Sequence, residues 1–108
     1  SLPWYVYRKD IINNEIYVCQ GVDNELLMKN VLTLEHINWI NNINYEFPLN
    51  CSVQIRHQHK PVKCELVYEN DLFKTIFSEP IRAIAPGQSA VFYNNEICLG
   101  GGIITETF

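Results

Sequence analysis

The stretch Pro86-Gly87-Gln88-Ser89-Ala90-Val91-Phe92-Tyr93-Asn94-Asn95-Glu96-Ile97-Cys98-Leu99-Gly100-Gly101-Gly102-Ile103-Ile104 decides the fold class. Two short runs rich in β-branched and aromatic residues, Ser89 to Tyr93 and Glu96 to Leu99, flank Asn94-Asn95. Asparagine tolerates the left-handed conformation that tight turns require, so the pair predicts a hairpin. In that register Phe92 faces Ile97 and Ala90 faces Leu99, which gives one side of the hairpin an apolar face. The three glycines that follow predict a sharp corner before a last strand, Ile103 to Thr107. A phosphate-cradling loop is the poorer reading of them, because β-branched residues rather than a helix N-terminus come next.

Working outward, the rest of the chain repeats the pattern. Trp4 to Arg8 and Glu15 to Gln20 flank Asn13-Asn14 as a first hairpin, and 21–25 reads as a short linker. Over 26–40, Leu27, Val31, Leu34 and Ile37 fit a helical face moderately well. The density of β-branched residues and the lack of helical charge pairs favour strands. Asn41 to Asn50 is a loop. Cys51 to Arg56 and Val62 to Tyr68 predict a hairpin, and a turn at Glu69-Asn70-Asp71 leads into Leu72 to Phe77. Pro80 and Pro86 mean that 79–87 is not a central strand throughout. The expectation is all-β: a small antiparallel six-stranded β-barrel (23–108) preceded by a β-hairpin (1–22). Closure would remove exposed sheet edges.

Composition bounds function. At 108 residues, 47% hydrophobic and 19% charged, the chain can bury a core. No apolar run approaches the roughly 18 residues that span a bilayer, and no secretory pattern is present, so no membrane partner is expected. Ser1 in place of Met suits a processed chain or an expressed fragment, and is read as the second. Four cysteines, Cys19, Cys51, Cys64 and Cys98, include no CxxC pair. Buried free thiols in a reducing cytoplasm are therefore expected, with Cys51 and Cys64 the pair that one hairpin could bring together.

The net charge of −4 argues against a free-standing nucleic-acid binder, DNA included, yet the charge is unevenly spread. Between Glu46 and Glu65 there is no acid, while Arg56, His57, His59, Lys60 and Lys63 fall there. From composition alone this is a solvated hairpin tip. As a binding element, Arg56, Lys60 and Lys63 offer charge for phosphates, and His57, Gln58 and His59 offer edges for bases. No catalytic constellation is found. His57 and His59 have no third ligand nearby for a metal, and Glu69 and Asp71 flank a turn.

The 86–104 stretch resembles the C-terminal signature of the bacterial tRNA-specific 2-thiouridylases. Pro3-Trp4-Tyr5-Val6, Asn13-Asn14, Gln20-Gly21, Ile37-Asn38-Trp39-Ile40 and the Cys51 to Cys64 segment agree in the same order. The resemblance covers essentially the whole chain. It implies a parent enzyme that adenylates the wobble uridine (position 34) of certain tRNAs with ATP and Mg, then delivers sulfur from a persulfide supplied by a donor protein. The family's adenylating loop is absent here, and no cysteine resembles its catalytic pair, so no catalytic residue and no cofactor is expected in this segment. The opening hairpin resembles the end of the family's central domain. Residues from about Met28 resemble its C-terminal barrel, which is similar to the second domain of elongation factor Tu.

The resemblance further implies tRNA docking by a monomeric, cytoplasmic module through Arg56, His57, Gln58, His59, Lys60, Lys63 and Gln88. The family's tip resembles Arg-Tyr-Arg followed by Gln or His. Arg56 is kept, whereas Gln58 replaces the second arginine and removes about one unit of salt dependence. Gln88, in the Pro-Gly-Gln step, could bond either a nucleotide or the backbone of its own turn. Two other functions compete: a translation-factor-like barrel that serves only as an interdomain or protein-interaction module, and part of a methyltransferase acting on 2-thiouridylate tRNA. No methyl-donor site is visible for the last.

Overall fold

Alternation of apolar and polar residues becomes alternation of burial in the strands. The computed structural model describes residues 2–21, 25–55, 60–82 and 84–108. In β6 (Val62–Glu69), Cys64 and Leu66 are buried while Lys63 and Glu65 are exposed, as a strand with one face on a core requires. The other strands are β1 (Trp4–Asp10), β2 (Glu15–Gln20), β3 (Met28–Leu34), β4 (Asn38–Trp39), β5 (Leu49–Gln54), β7 (Leu72–Arg82), β8 (Ser89–Asn94), β9 (Ile97–Ile103) and β10 (Glu106–Thr107). The one helical turn, Glu25–Leu27, precedes β3. The stretch 26–40 is therefore strand in the main, as its β-branched residues predict. No helix among the described residues is long and apolar enough to cross a membrane.

β1 and β2 form a two-stranded antiparallel sheet. The remaining strands make one antiparallel sheet in the order β10-β3-β7-β6-β5-β8-β9-β4. Two of its eight strands, β4 and β10, are only two residues long, which leaves six longer ones. The sheet curls round a single core. Leu32 and Leu34 of β3, Val53 of β5, Leu66 of β6, Phe92 of β8, Leu99 of β9 and Ile104 belong to one buried cluster. Trp39, Tyr45 and Phe47 pack at its margin and bring the 41–48 loop down over the core.

Three sequence expectations are corrected. The last hairpin has Asn94 opposite Ile97, so its turn centres on Asn95 and Glu96. A bulge between Phe92 and Tyr93 adds a further step, and Phe92 faces Gly100 rather than Ile97, while Ala90 faces Gly102 rather than Leu99. Ile97 is accordingly 62% exposed, not core. Second, Gly100-Gly101-Gly102 lies inside β9 and is not a corner. A Cβ on Gly100 would run into the carbonyl oxygen of Asn38, and one on Gly102 into that of His36. Glycine is required there by backbone packing.

Third, β7 runs past its predicted end at Phe77, through Pro80 to Arg82. Its pairing with β6 ends at Cys64–Phe77, and beyond that point β3 is its one described neighbour. Pro80 thus sits where the strand is an edge and a missing N–H is tolerated. After β9 the chain leaves the sheet and returns: Thr105 N–H donates to Thr33 O (2.8 Å) and Phe108 N–H to Val31 O (2.8 Å).

Candidate nucleic-acid interface

The β5–β6 hairpin carries the basic segment. Cys51 pairs with Cys64, Ser52 with Lys63, and Val53 with Val62. Core-facing and outward-facing residues alternate, so Val53, Cys64 and Leu66 turn inward and Lys63 turns outward. Arg56, His57, Gln58 and His59 lie outside the described residues. Lys60 and Lys63 are both exposed. Among the described residues no ion pair or hydrogen bond engages either ammonium group.

Lys63 does not stand alone. Opposite it is Ser52, and opposite Ser52 is Tyr93 of β8, a row of side chains on one face of the sheet. With Asn50, Glu65, Asn94 and Asn95 they line an open groove of about 520 Å³. The groove offers a cation, a phenol ring and amide groups, a set suited to phosphate, base face and base edge respectively. Glu65 offsets Lys63 within it. As groove residues, the sequence reading missed Ser52, Tyr93 and the three asparagines. Strand alternation could have found Ser52, whereas Tyr93 depends on the β5–β8 pairing of segments distant in sequence.

Gln88 is engaged in its own turn. The Ala85 N–H donates to Gln88 Oε1 (2.9 Å), the Ile104 N–H donates to Gln88 O (2.8 Å), and the Gly87 N–H donates to Ile104 O (2.8 Å). These bonds commit its side-chain oxygen to the backbone. Nearby, a second shallow groove of about 430 Å³ is lined by Glu35, His36, Ser89, Gly102 and Thr105. Its carboxylate makes it a poor phosphate site.

The four thiols are free. Cys51 and Cys64 bring their Sγ atoms to 3.7 Å. That contact holds the Cys51 thiol below its ordinary range, since the Cys64 S–H can donate to a Cys51 thiolate. It pushes the Cys64 thiol up, and burial adds to the rise. Among the described residues no three of His, Cys, Asp and Glu gather as a metal site.

Residues 29–104 match the Aminomethyltransferase beta-barrel domain family. The chain belongs to that family. Over 105 residues it is 46% identical to the tRNA-specific 2-thiouridylase MnmA of Buchnera aphidicola subsp. Schizaphis graminum, covering 96% of this chain and 29% of the relative. The proteins of the same name from Salmonella arizonae (40% identity, 96% of this chain, 28% of the relative) and Shewanella halifaxensis (43%, 94%, 28%) are similar. The resemblance read from the sequence is thus borne out. The chain spans between a quarter and a third of the length of the curated relatives it matches. The β-barrel family also agrees with the all-β, antiparallel reading.

Proposed function

We propose that this chain is the C-terminal part of a tRNA-specific 2-thiouridylase and that its β5–β6 hairpin docks tRNA for the catalytic part of the enzyme. The observation that carries the reading is similarity to 2-thiouridylases along nearly all of the chain, joined to exposed Lys60 and Lys63 in an acid-free segment. The curled sheet with its six longer strands supports a barrel like the second domain of elongation factor Tu. The parent enzyme, on this reading, works in the cytoplasm on the wobble uridine. It uses ATP and Mg and takes sulfur from a donor protein, all at residues outside this segment.

The docking surface joins the groove holding Lys63, Ser52 and Tyr93 to exposed Lys60, with Arg56 of the same acid-free segment as a further cation. Cations of the acid-free segment contact the phosphate backbone, and Tyr93 offers a ring to an unstacked base. Affinity in the parent is shared between domains, which reconciles a docking role with a net charge of −4. The test is tRNA binding by the full-length protein across a salt series, with Arg56, Lys60 and Lys63 replaced by alanine. Loss of about two units from the slope of log affinity against log salt supports docking. An unchanged slope and affinity refute it.

One observation favours an added interdomain role. The β1–β2 hairpin exposes Trp4 (65%), Ile11, Ile12 and Ile16, more apolar surface than a free hairpin keeps in water. The methyltransferase reading stays last, because the relatives compared carry the name 2-thiouridylase.

A further inference from the structure

We infer that Cys51 and Cys64 form a dithiol site that low-molecular-weight disulfides convert to an intramolecular disulfide across the β5–β6 hairpin. This inference does not depend on the docking role. The two residues are directly opposed in register, and their sulfurs are 3.7 Å apart. Directly opposed residues of an antiparallel pair have Cα atoms roughly 4.5–5.5 Å apart, inside the range a disulfide bridges. Closing the sulfurs to about 2 Å therefore asks for side-chain rotation and no shift of the strands. Cys19 and Cys98 have no such neighbour: Cys19 pairs with Tyr5 and Cys98 with Tyr93.

The two thiols are unlike, and the difference sets the order of events. Cys51 is half-buried, whereas Cys64 is 7% exposed. The hydrogen bond from Cys64 favours the thiolate at Cys51, and the thiolate is the attacking species in exchange. Cys51 Sγ attacks one sulfur of the small disulfide RSSR, its S–S bond breaks, and one thiolate RS⁻ leaves. Cys64 then gives up its proton and attacks Cys51 Sγ, expelling the second RS⁻. Both expelled thiolates take up the protons released by the cysteines. The protein thiols are oxidised to one disulfide, and RSSR is reduced to two RSH.

The experiment treats the full-length protein with glutathione disulfide, blocks remaining thiols with iodoacetamide, and maps the cysteines by peptide mass spectrometry. The expected result is loss of alkylation at both Cys51 and Cys64, with one linked peptide pair lighter by two hydrogens. In Cys64→Ser, or Cys64→Ala if the serine variant does not fold, Cys51 should carry a stable glutathione adduct. In Cys51→Ser, Cys64 should stay unmodified over the same time. The inference is overturned if wild-type Cys51 and Cys64 both remain alkylatable. It is equally overturned if wild type stops at a glutathione adduct, or if Cys51 takes no adduct in Cys64→Ser, whose hydroxyl keeps a donor beside it.

Discussion

Gly102 of β9 lies against the backbone of His36 so closely that a Cβ at position 102 would collide with the His36 carbonyl oxygen. The contact joins β9 to the segment that follows β3, two elements at opposite flanks of the sheet that share one core. It is backbone against backbone, so no side-chain rotation relieves it.

Gly102→Ala should therefore destabilise the protein by about 2–3 kcal/mol, the cost of forcing atoms into a packed interior. Gly87 supplies the contrast. Nothing lies within 4 Å of a Cβ there, but its φ of +92° is one that L-residues avoid. Gly87→Ala should cost only about 1–2 kcal/mol. Urea unfolding of both variants against wild type would check the ranking.

How far the sequence could be read is clearest in these glycines. Runs and turn residues made the elements legible: Asn14, Asn70 and Asn95 all adopt positive φ at or beside predicted turns. The register of the last hairpin was not legible, because two adjacent asparagines offered neighbouring turns and the bulge at Phe92–Tyr93 leaves no mark in composition. The glycine run is read as a corner when only the local chain is considered. What it answers is the backbone of residues 36–38, some sixty positions away. The basic segment of the candidate interface was legible as charge, while its neighbour Tyr93 arrives only through strand pairing between β5 and β8.

Thr75 is fully buried, and its Oγ1 has no hydrogen-bond partner among the described residues. A buried hydroxyl without a partner keeps its desolvation cost. Thr75→Val retains the branched shape and should stabilise the fold by about 1 kcal/mol. The thermal midpoint measures this, and a fall would mean that the hydroxyl is satisfied.

Asp10 closes the first hairpin by accepting hydrogen bonds from the Asn13 side chain (2.9 Å) and the Asn13 N–H (3.1 Å). These bonds, the side-chain one first, hold its carboxyl below the ordinary value of 3.8. A carboxyl depressed on folding stabilises the ionised form above the unfolded pKa, and that contribution is lost as pH falls through the folded pKa. The turn should therefore loosen only in acid, below the ordinary carboxylate range. Asn13→Ala should raise the Asp10 pKa towards 3.8, read by NMR titration of the carboxyl carbon.

The docking role turns on whether the basic hairpin acts in binding or in chemistry. Sulfur incorporation into tRNA by the full-length protein, followed at scarce and at saturating tRNA, separates the two. With Arg56, Lys60 and Lys63 changed to alanine, the rate should fall at scarce tRNA and return to the wild-type value at saturation. An equal loss at both concentrations, or none at either, would contradict docking by this hairpin.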